Sequence, residues 1–212
     1  MSQDGHHHWI AISDLLSGFV VVLILLFVGS TALQTLKVES ASERESRERE
    51  ETMRGIARAL EPYVASGLVT VDEGEDRIRL NDTSFPSGSA CLDPRAVAAI
   101  QSVAPEVAGA LKAHADLTVY VEGHTDAASF LGTPTAEKAR DLCGWFSDNT
   151  QLSTVRATAV RTILASHLQT EMLARVPVSG FGSEVLKDAS DPYGAINRRV
   201  EIRIVWPANA TR

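Results

Sequence analysis

From Ile10 to Leu33 the chain is almost continuously apolar, and only Ser13, Asp14, Ser17, Ser30 and Thr31 are clearly polar. As a helix, Leu15 to Leu33 alone would extend roughly 28 Å, enough to cross a hydrocarbon core. A cleaved signal peptide is the rival reading. Against it, no basic segment precedes the run, the run is long for such a signal, and no small-x-small site follows it cleanly. The pattern predicts one uncleaved span, taken as 9–36, behind a short tail at 1–8.

Beyond the span the pattern changes abruptly. "KVESASERESREREETMRGIARALEPYV" (Lys37 to Val64) is dense in Glu and Arg and free of proline until Pro62. Pairs at i,i+4 such as Glu43–Arg47 and Glu45–Arg49 suit a solvated helix or flexible stalk, assigned to 37–66. Apolar positions before Met53 are too sparse for a long coiled coil.

"GLVTVDEGEDRIRL" alternates on both sides of an acidic, Gly-containing turn and predicts a β-hairpin. "DPRAVAAIQSVAPEVAGALKAHA" opens with Asp93 as N-cap and Pro94 at the first helical position. Pro105 is expected to kink or divide that helix. "LTVYVEG" predicts a strand, and "LSTVRATAVRTILASHL" an amphipathic helix with Val155, Ala159, Ile163 and Leu164 inward. "VPVSGFG" and "RRVEIRIVW" complete the set as strands. The fold class is α+β: one N-terminal transmembrane helix, then a βαβαβ-like sandwich over 67–207 that follows an opening hairpin, and a tail at 208–212.

The formal net charge of −7 and pI near 5.4 exclude the basic face that nucleic-acid binding requires. Neither a Gly-rich phosphate loop nor a nucleophile elbow occurs, and the six histidines show no metal-ligand spacing, so no enzyme, cofactor or metal is expected. Cys91 and Cys143 are the two cysteines; they read equally as buried thiols or, in an oxidising compartment, as one disulfide. Charge does not orient the span, because no Lys or Arg precedes it.

Four motifs now stand in order: G-H-T-D (Gly123 to Asp126), N-x-x-L-S-x-x-R-A (Asn149 to Ala157), G-F-G-S-E (Gly180 to Glu184) and N-R-R-V-E-I (Asn197 to Ile202). Together they resemble the OmpA C-terminal family of peptidoglycan-binding domains, over about residues 68 to 206. "SFPSGSACLDP" looks like that family's lead-in to its first long helix. The resemblance implies that Asp126 and Arg156 grip the ammonium and carboxylate at the end of diaminopimelate, with Thr125 and Asn149 shaping the pocket. A guanidinium suits that carboxylate because it binds both oxygens in a fork. Arg199 is placed near the pocket or in a structural ion pair. On the residues alone, Asp126 reads as a helix cap and Arg156 as a surface ion pair.

Two departures from the family stand out. The stretch between H-T-D and L-S, "AASFLGTPTAEKARDLCGWFSDNTQ", is longer than usual; this insertion at 127–148 could cover the pocket or be stapled by Cys143 to Cys91. Pro86 also stands after Phe85, where many members carry Asp.

A wall-binding domain lies outside the inner membrane, so the resemblance places the N-terminus in the cytoplasm and the C-terminal domain in the periplasm. "WIAISDLLSGFVVVLILLF" is further similar to the span of B-type stator subunits, in which an Asp heads the helix. In that family two B subunits sit within a pentamer of multi-span A subunits of the MotA or ZorA kind. Ion flow past the Asp drives rotation about a wall-anchored dimer. The short tail and the wording "ISDLLSG" look most like the B subunit of the Zorya anti-phage motor, ahead of the flagellar MotB type. Asp14 then carries protons. By depth alone it reads equally well as an interfacial residue near Trp9, in a passive tether between membrane and wall.

Overall fold

The computed structural model describes residues 4–86, 88–128 and 146–207, with the side chains of 4–12, 14 and 36–42 outside the described set. Two compact units result, residues 1–47 and 48–211.

Helix α1 (Asp4–Ala65) begins in the first unit and there carries a 21-residue segment, Leu15–Thr35, long and apolar enough to cross a membrane. Its leucines, valines and phenylalanines are uncovered by the rest of the chain. Such a surface needs lipid or partner helices around it. Ser17, Ser30, Thr31 and Thr35 return their hydroxyls to backbone carbonyls three or four residues back, which makes them compatible with an apolar surrounding. Glu43 and Arg47 pair as expected, at 3.6 Å on an exposed face.

The second unit begins at Glu48, well before the boundary at 67 expected from sequence. Met53, Ile56 and Leu60, spaced at helical intervals on the last turns of α1, are buried in the main core. Residues 48–65 are therefore part of the domain, not stalk. Arg49 likewise pairs with Asp76 at 2.7 Å instead of Glu45. Asp76 takes the left-handed conformation (φ 51°) at the end of the hairpin turn, a position that Asp tolerates better than most residues.

Among the described residues, five strands form one mixed sheet in the order β1-β2-β5-β3-β4: β1 (Val69–Asp72), β2 (Arg77–Leu80), β3 (Thr118–His124), β4 (Val178–Gly180) and β5 (Arg199–Val205). Only β3 and β4 run parallel, joined through helix α3 (Asn149–Ala165). Alternation separates the two faces. Ile78, Leu80, Val119, Val121, Val200 and Ile202 face the apolar core beneath the helices. Arg77, Arg79, Glu122, His124, Arg199, Glu201 and Arg203 occupy the alternate positions, and their ions are paired across the strands.

Helix α2 (Pro94–Ala113) starts as predicted, with the Asp93 carboxylate accepting from Arg95 N at 2.9 Å. It runs unbroken through Pro105; the buried Val103, Ala104 and Val107 on either side offset the lost hydrogen bond. Helix α3 begins three residues earlier than expected, capped by Asp148, which accepts from Gln151 N at 2.8 Å.

The inward stripe of α3 also differs from the expected one. Leu152, Ser153, Arg156, Ala157, Val160 and Leu164 are buried, while Val155, Ala159 and Ile163 are only half-buried. The reason lies in two glycines. A Cβ on Gly123 would collide with the Ser153 carbonyl, and one on Gly180 with Thr154. Their absence lets the helix backbone approach the sheet, and Ser153 Oγ then accepts from Gly182 N at 2.9 Å.

Candidate functional site

At the carboxyl end of β3 the chain leaves the sheet through Thr125 and Asp126. Thr125 N donates to Gly182 O at 2.8 Å and Ala127 N to Pro192 O at 2.9 Å, which ties this loop to the one following β4. Asn149, the first residue of α3, donates to Asp126 O at 3.3 Å and Ala128 O at 2.8 Å. The Asp126 carboxylate is thereby fixed, with Oδ1 accepting from Ala128 N at 3.1 Å.

Arg156 lies two turns into α3. Its Nε donates to Ser89 O at 2.8 Å and its guanidinium stacks on the Phe85 ring at 5.0 Å. It is 4% exposed and Asp126 8%. Burial pulls Arg156 down to about 10, with the carboxylates of Asp82 and Asp126 opposing the fall, so it stays charged at neutral pH.

Asp126, Arg156, Thr125 and Asn149, all singled out from sequence, line a single cleft of about 440 Å³. Arg199 does not. It donates to Glu201 at 2.7 Å beneath the loop after β4, in the structural ion pair left open as its alternative. Its neighbour Arg198 lines the cleft instead. Arg198 grips both oxygens of Asp82 at 2.6 and 2.8 Å and reaches Asp126 Oδ2 at 2.6 Å. The hydrogen bonds to Asp82 hold its proton more tightly than in water. The site is thus built on two carboxylates and two guanidiniums, Asp82 and Asp126 with Arg156 and Arg198. Such a set has no net charge, yet it presents fixed charges of both signs. Thr125 Oγ1 is buried without a hydrogen-bond partner among the described residues, and remains free for a ligand.

Asp82 and Arg198 were missed in the sequence. Asp82 sits in a short 3-10 turn after β2 and brings a carboxylate to the cleft although Pro86 replaces the Asp common after the Phe.

Residues 84–199 match the OmpA family over more than half of the chain. The chain belongs to the OmpA family. A MotB-like protein from Desulfovibrio vulgaris shares the fold, with a TM-score of 0.55 at 20% identity over 79% of this chain and 99% of that one. The periplasmic domain of Helicobacter pylori MotB aligns with a TM-score of 0.46 at 19% identity, over 63% and 75% of the two chains. The cell wall anchor of the T6SS from Pseudomonas aeruginosa aligns at 0.48 and 28% identity, over 71% and 96%. No curated protein matches the chain.

Several expectations fall on residues that the structure leaves out. The insertion lies largely outside the described residues; at its described ends Ala128 lines the cleft and Phe146 packs with Ala90 and Leu152. Cys91 is disulfide-bonded, while Cys143 is outside the described residues. Asp14 belongs to α1, with its side chain outside the described set.

Among the described residues, Glu122, His124 and Glu201 bring possible metal ligands within 4.8 Å of one another. Their carboxylates are already engaged by guanidiniums, Glu122 by Arg203 and Glu201 by Arg77, Arg79 and Arg199. A divalent cation would meet four positive charges there. The cluster fits a buried ion-pair network better than a metal centre.

Proposed function

We propose that the cleft binds the zwitterionic end of diaminopimelate in peptidoglycan stem peptides, making the domain a cell-wall anchor. The observation that carries this reading is the pairing of Asp126 and Arg156 in one cleft whose four ionised side chains sum to zero. An ammonium meets the carboxylate that Arg198 and Ala128 N already orient. A carboxylate meets the guanidinium held by Ser89 O and Phe85. The pocket is set before the ligand arrives, so little ordering entropy is lost on binding. In the full chain, the apolar segment of α1 holds the inner membrane, the N-terminus is cytoplasmic and the domain is periplasmic. Cys91 pairs with Cys143, the only other cysteine of the chain. Co-sedimentation with purified sacculi tests the anchor: the intact chain pellets with the wall, and the double variant Asp126→Ala, Arg156→Ala stays in solution. Undiminished retention of the double variant would refute it.

A finer reading rests on Asp14, an ionisable group at the head of the segment Leu15–Thr35. A carboxylate held at that depth among protein helices pays a desolvation cost that protonation removes. The chain then acts as the B subunit of a proton-driven rotary motor, a dimer within a pentamer of multi-span A subunits, and its wall-bound domain resists the torque. Each elementary charge crossing 100 mV supplies about 2.3 kcal/mol, so a substantial mechanical step uses several protons. The "ISDLLSG" wording favours the Zorya anti-phage type over the flagellar type.

A further inference from the structure

A second cleft of about 400 Å³ adjoins the first and shares Asp82, Thr83 and Arg198 with it. The Asp82–Arg198 pair is thus a common wall, open to a cavity on each side. The two cavities differ in charge. The first is balanced, as described. The second has Arg79 and Arg198 against Asp82 alone among its ionised lining residues, an excess of one positive charge.

That excess is not cancelled from beneath. Arg79 donates Nε to Glu201 at 3.2 Å, but the same carboxylate serves Arg77 at 2.6 Å and Arg199 at 2.7 Å. Arg77 has a second carboxylate in Glu75, at 3.6 Å, but Arg79 shares Glu201 alone and stays under-compensated; its buried Nη2 has no hydrogen-bond partner among the described residues. Thr70, its cross-strand neighbour on β1, also lines this cleft, as does the half-exposed Ile196. A guanidinium with donors to spare, beside a hydroxyl and an apolar wall, suits a carboxylate on a short peptide.

We infer that the second cleft binds a second carboxylate of the same wall peptide, with Arg79 as its partner. The inference rests on the reading of the first cleft. In a stem peptide the γ-linked glutamyl residue directly before diaminopimelate leaves its α-carboxylate free. The γ-linkage puts nine bonds between the glutamyl Cα and the distal carbon of diaminopimelate, a reach of roughly 10 Å when extended, so the two carboxylates can straddle a single side-chain bridge. The domain then reads two residues of the stem: diaminopimelate by the balanced cleft and the glutamyl carboxylate by the positive one. Amidation of that carboxylate, which removes its charge, becomes a feature the protein discriminates against.

The test is calorimetric titration of the full chain in detergent with the tripeptide L-Ala–γ-D-Glu–diaminopimelate and with the same peptide amidated at the glutamyl α-carboxylate. The intact protein should bind the acid about tenfold more tightly than the amide, the size of one charge-assisted hydrogen bond. Arg79→Gln should bring that ratio to near one, and Arg79→Lys should keep part of it. Equal affinities for the two peptides in the intact protein would overturn the inference without any variant. A ratio unchanged in Arg79→Gln would overturn the role of Arg79. Failure of both peptides and of free diaminopimelate to bind would instead bring down the reading of the first cleft.

Discussion

Arg198 and Asp126 meet at 2.6 Å, and the same guanidinium is clamped on its other edge by both oxygens of Asp82. Arg198 therefore orients the carboxylate that would receive the ligand's ammonium, while cancelling the second negative charge beside it. Arg198→Ala leaves Asp82 and Asp126 facing each other across the cleft. Its side chain is 31% exposed, so the loss of fold stability is small, about 1 kcal/mol or less. Binding should suffer more, with affinity for a diaminopimelate peptide falling about tenfold in calorimetry. Arg198→Lys restores a charge but not the fork, and should recover only part of the loss.

The ion network on the polar face of the sheet gives stability a defined pH dependence. Burial, aided by the charge of Arg199, holds the His124 imidazole at about 4, below its ordinary 6.5. Burial pushes the Glu201 carboxyl up, but its bond to Arg199 and the charges of Arg199, His124 and Arg77 outweigh this and leave it at about 2, below its ordinary 4.5. Both groups bind protons more readily in the unfolded chain. Their stabilisation is complete above the unfolded values and is lost as pH falls, for His124 between 6.5 and 4 and for Glu201 between 4.5 and 2. Each contributes on the order of 3 kcal/mol. Urea unfolding at pH 7.5, 5.5 and 3.5 should show a falling midpoint, and His124→Gln should flatten the upper part of that fall.

The last turns of α1 are core, so their apolar side chains should behave as core. Ile56→Ala and Leu60→Ala are each expected to cost about 2–5 kcal/mol in urea unfolding of the domain. Arg54→Ala on the exposed side of the same helix should change it by about 0.5 kcal/mol or less. If residues 48–65 were a stalk, all three variants would unfold at the same urea concentration.

Asp14→Asn keeps the size of the side chain and removes its charge cycle. In cells carrying the A-type partner it should abolish motor output while the complex still assembles, as judged by copurification. Full activity of Asp14→Asn would leave the passive tether as the reading of the membrane segment.

The hairpin, the Asp93 cap and the strand sequence were legible because each rests on a local rule: alternation, a capping oxygen, a proline at the first helical position. Asp126 and Arg156 were legible only through their motifs. The stripe on α3 was not, since apolar periodicity overlooks a helix that turns Ser153 and Arg156 inward, and the reason is the space left by Gly123 and Gly180 on other strands. In N-R-R-V-E-I two arginines look interchangeable. Extended backbone sends adjacent side chains to opposite sides, so Arg199 joins Glu201 and Arg198 reaches the cleft. Nothing local to that motif tells which is which. Met53, Ile56 and Leu60 did carry a helical spacing, but it was hidden among the charges that surround them.

In the proposed wall binding, two fixed charges recognise the ammonium and the carboxylate of one zwitterion. A stem tripeptide carrying lysine in place of diaminopimelate keeps the ammonium and lacks the distal carboxylate, so titrating both peptides into the full chain measures what Arg156 contributes. The diaminopimelate peptide should bind about tenfold or more tightly than the lysine peptide, and Arg156→Ala should erase the difference. Equal affinities in the intact protein, or a difference that survives Arg156→Ala, would contradict the account.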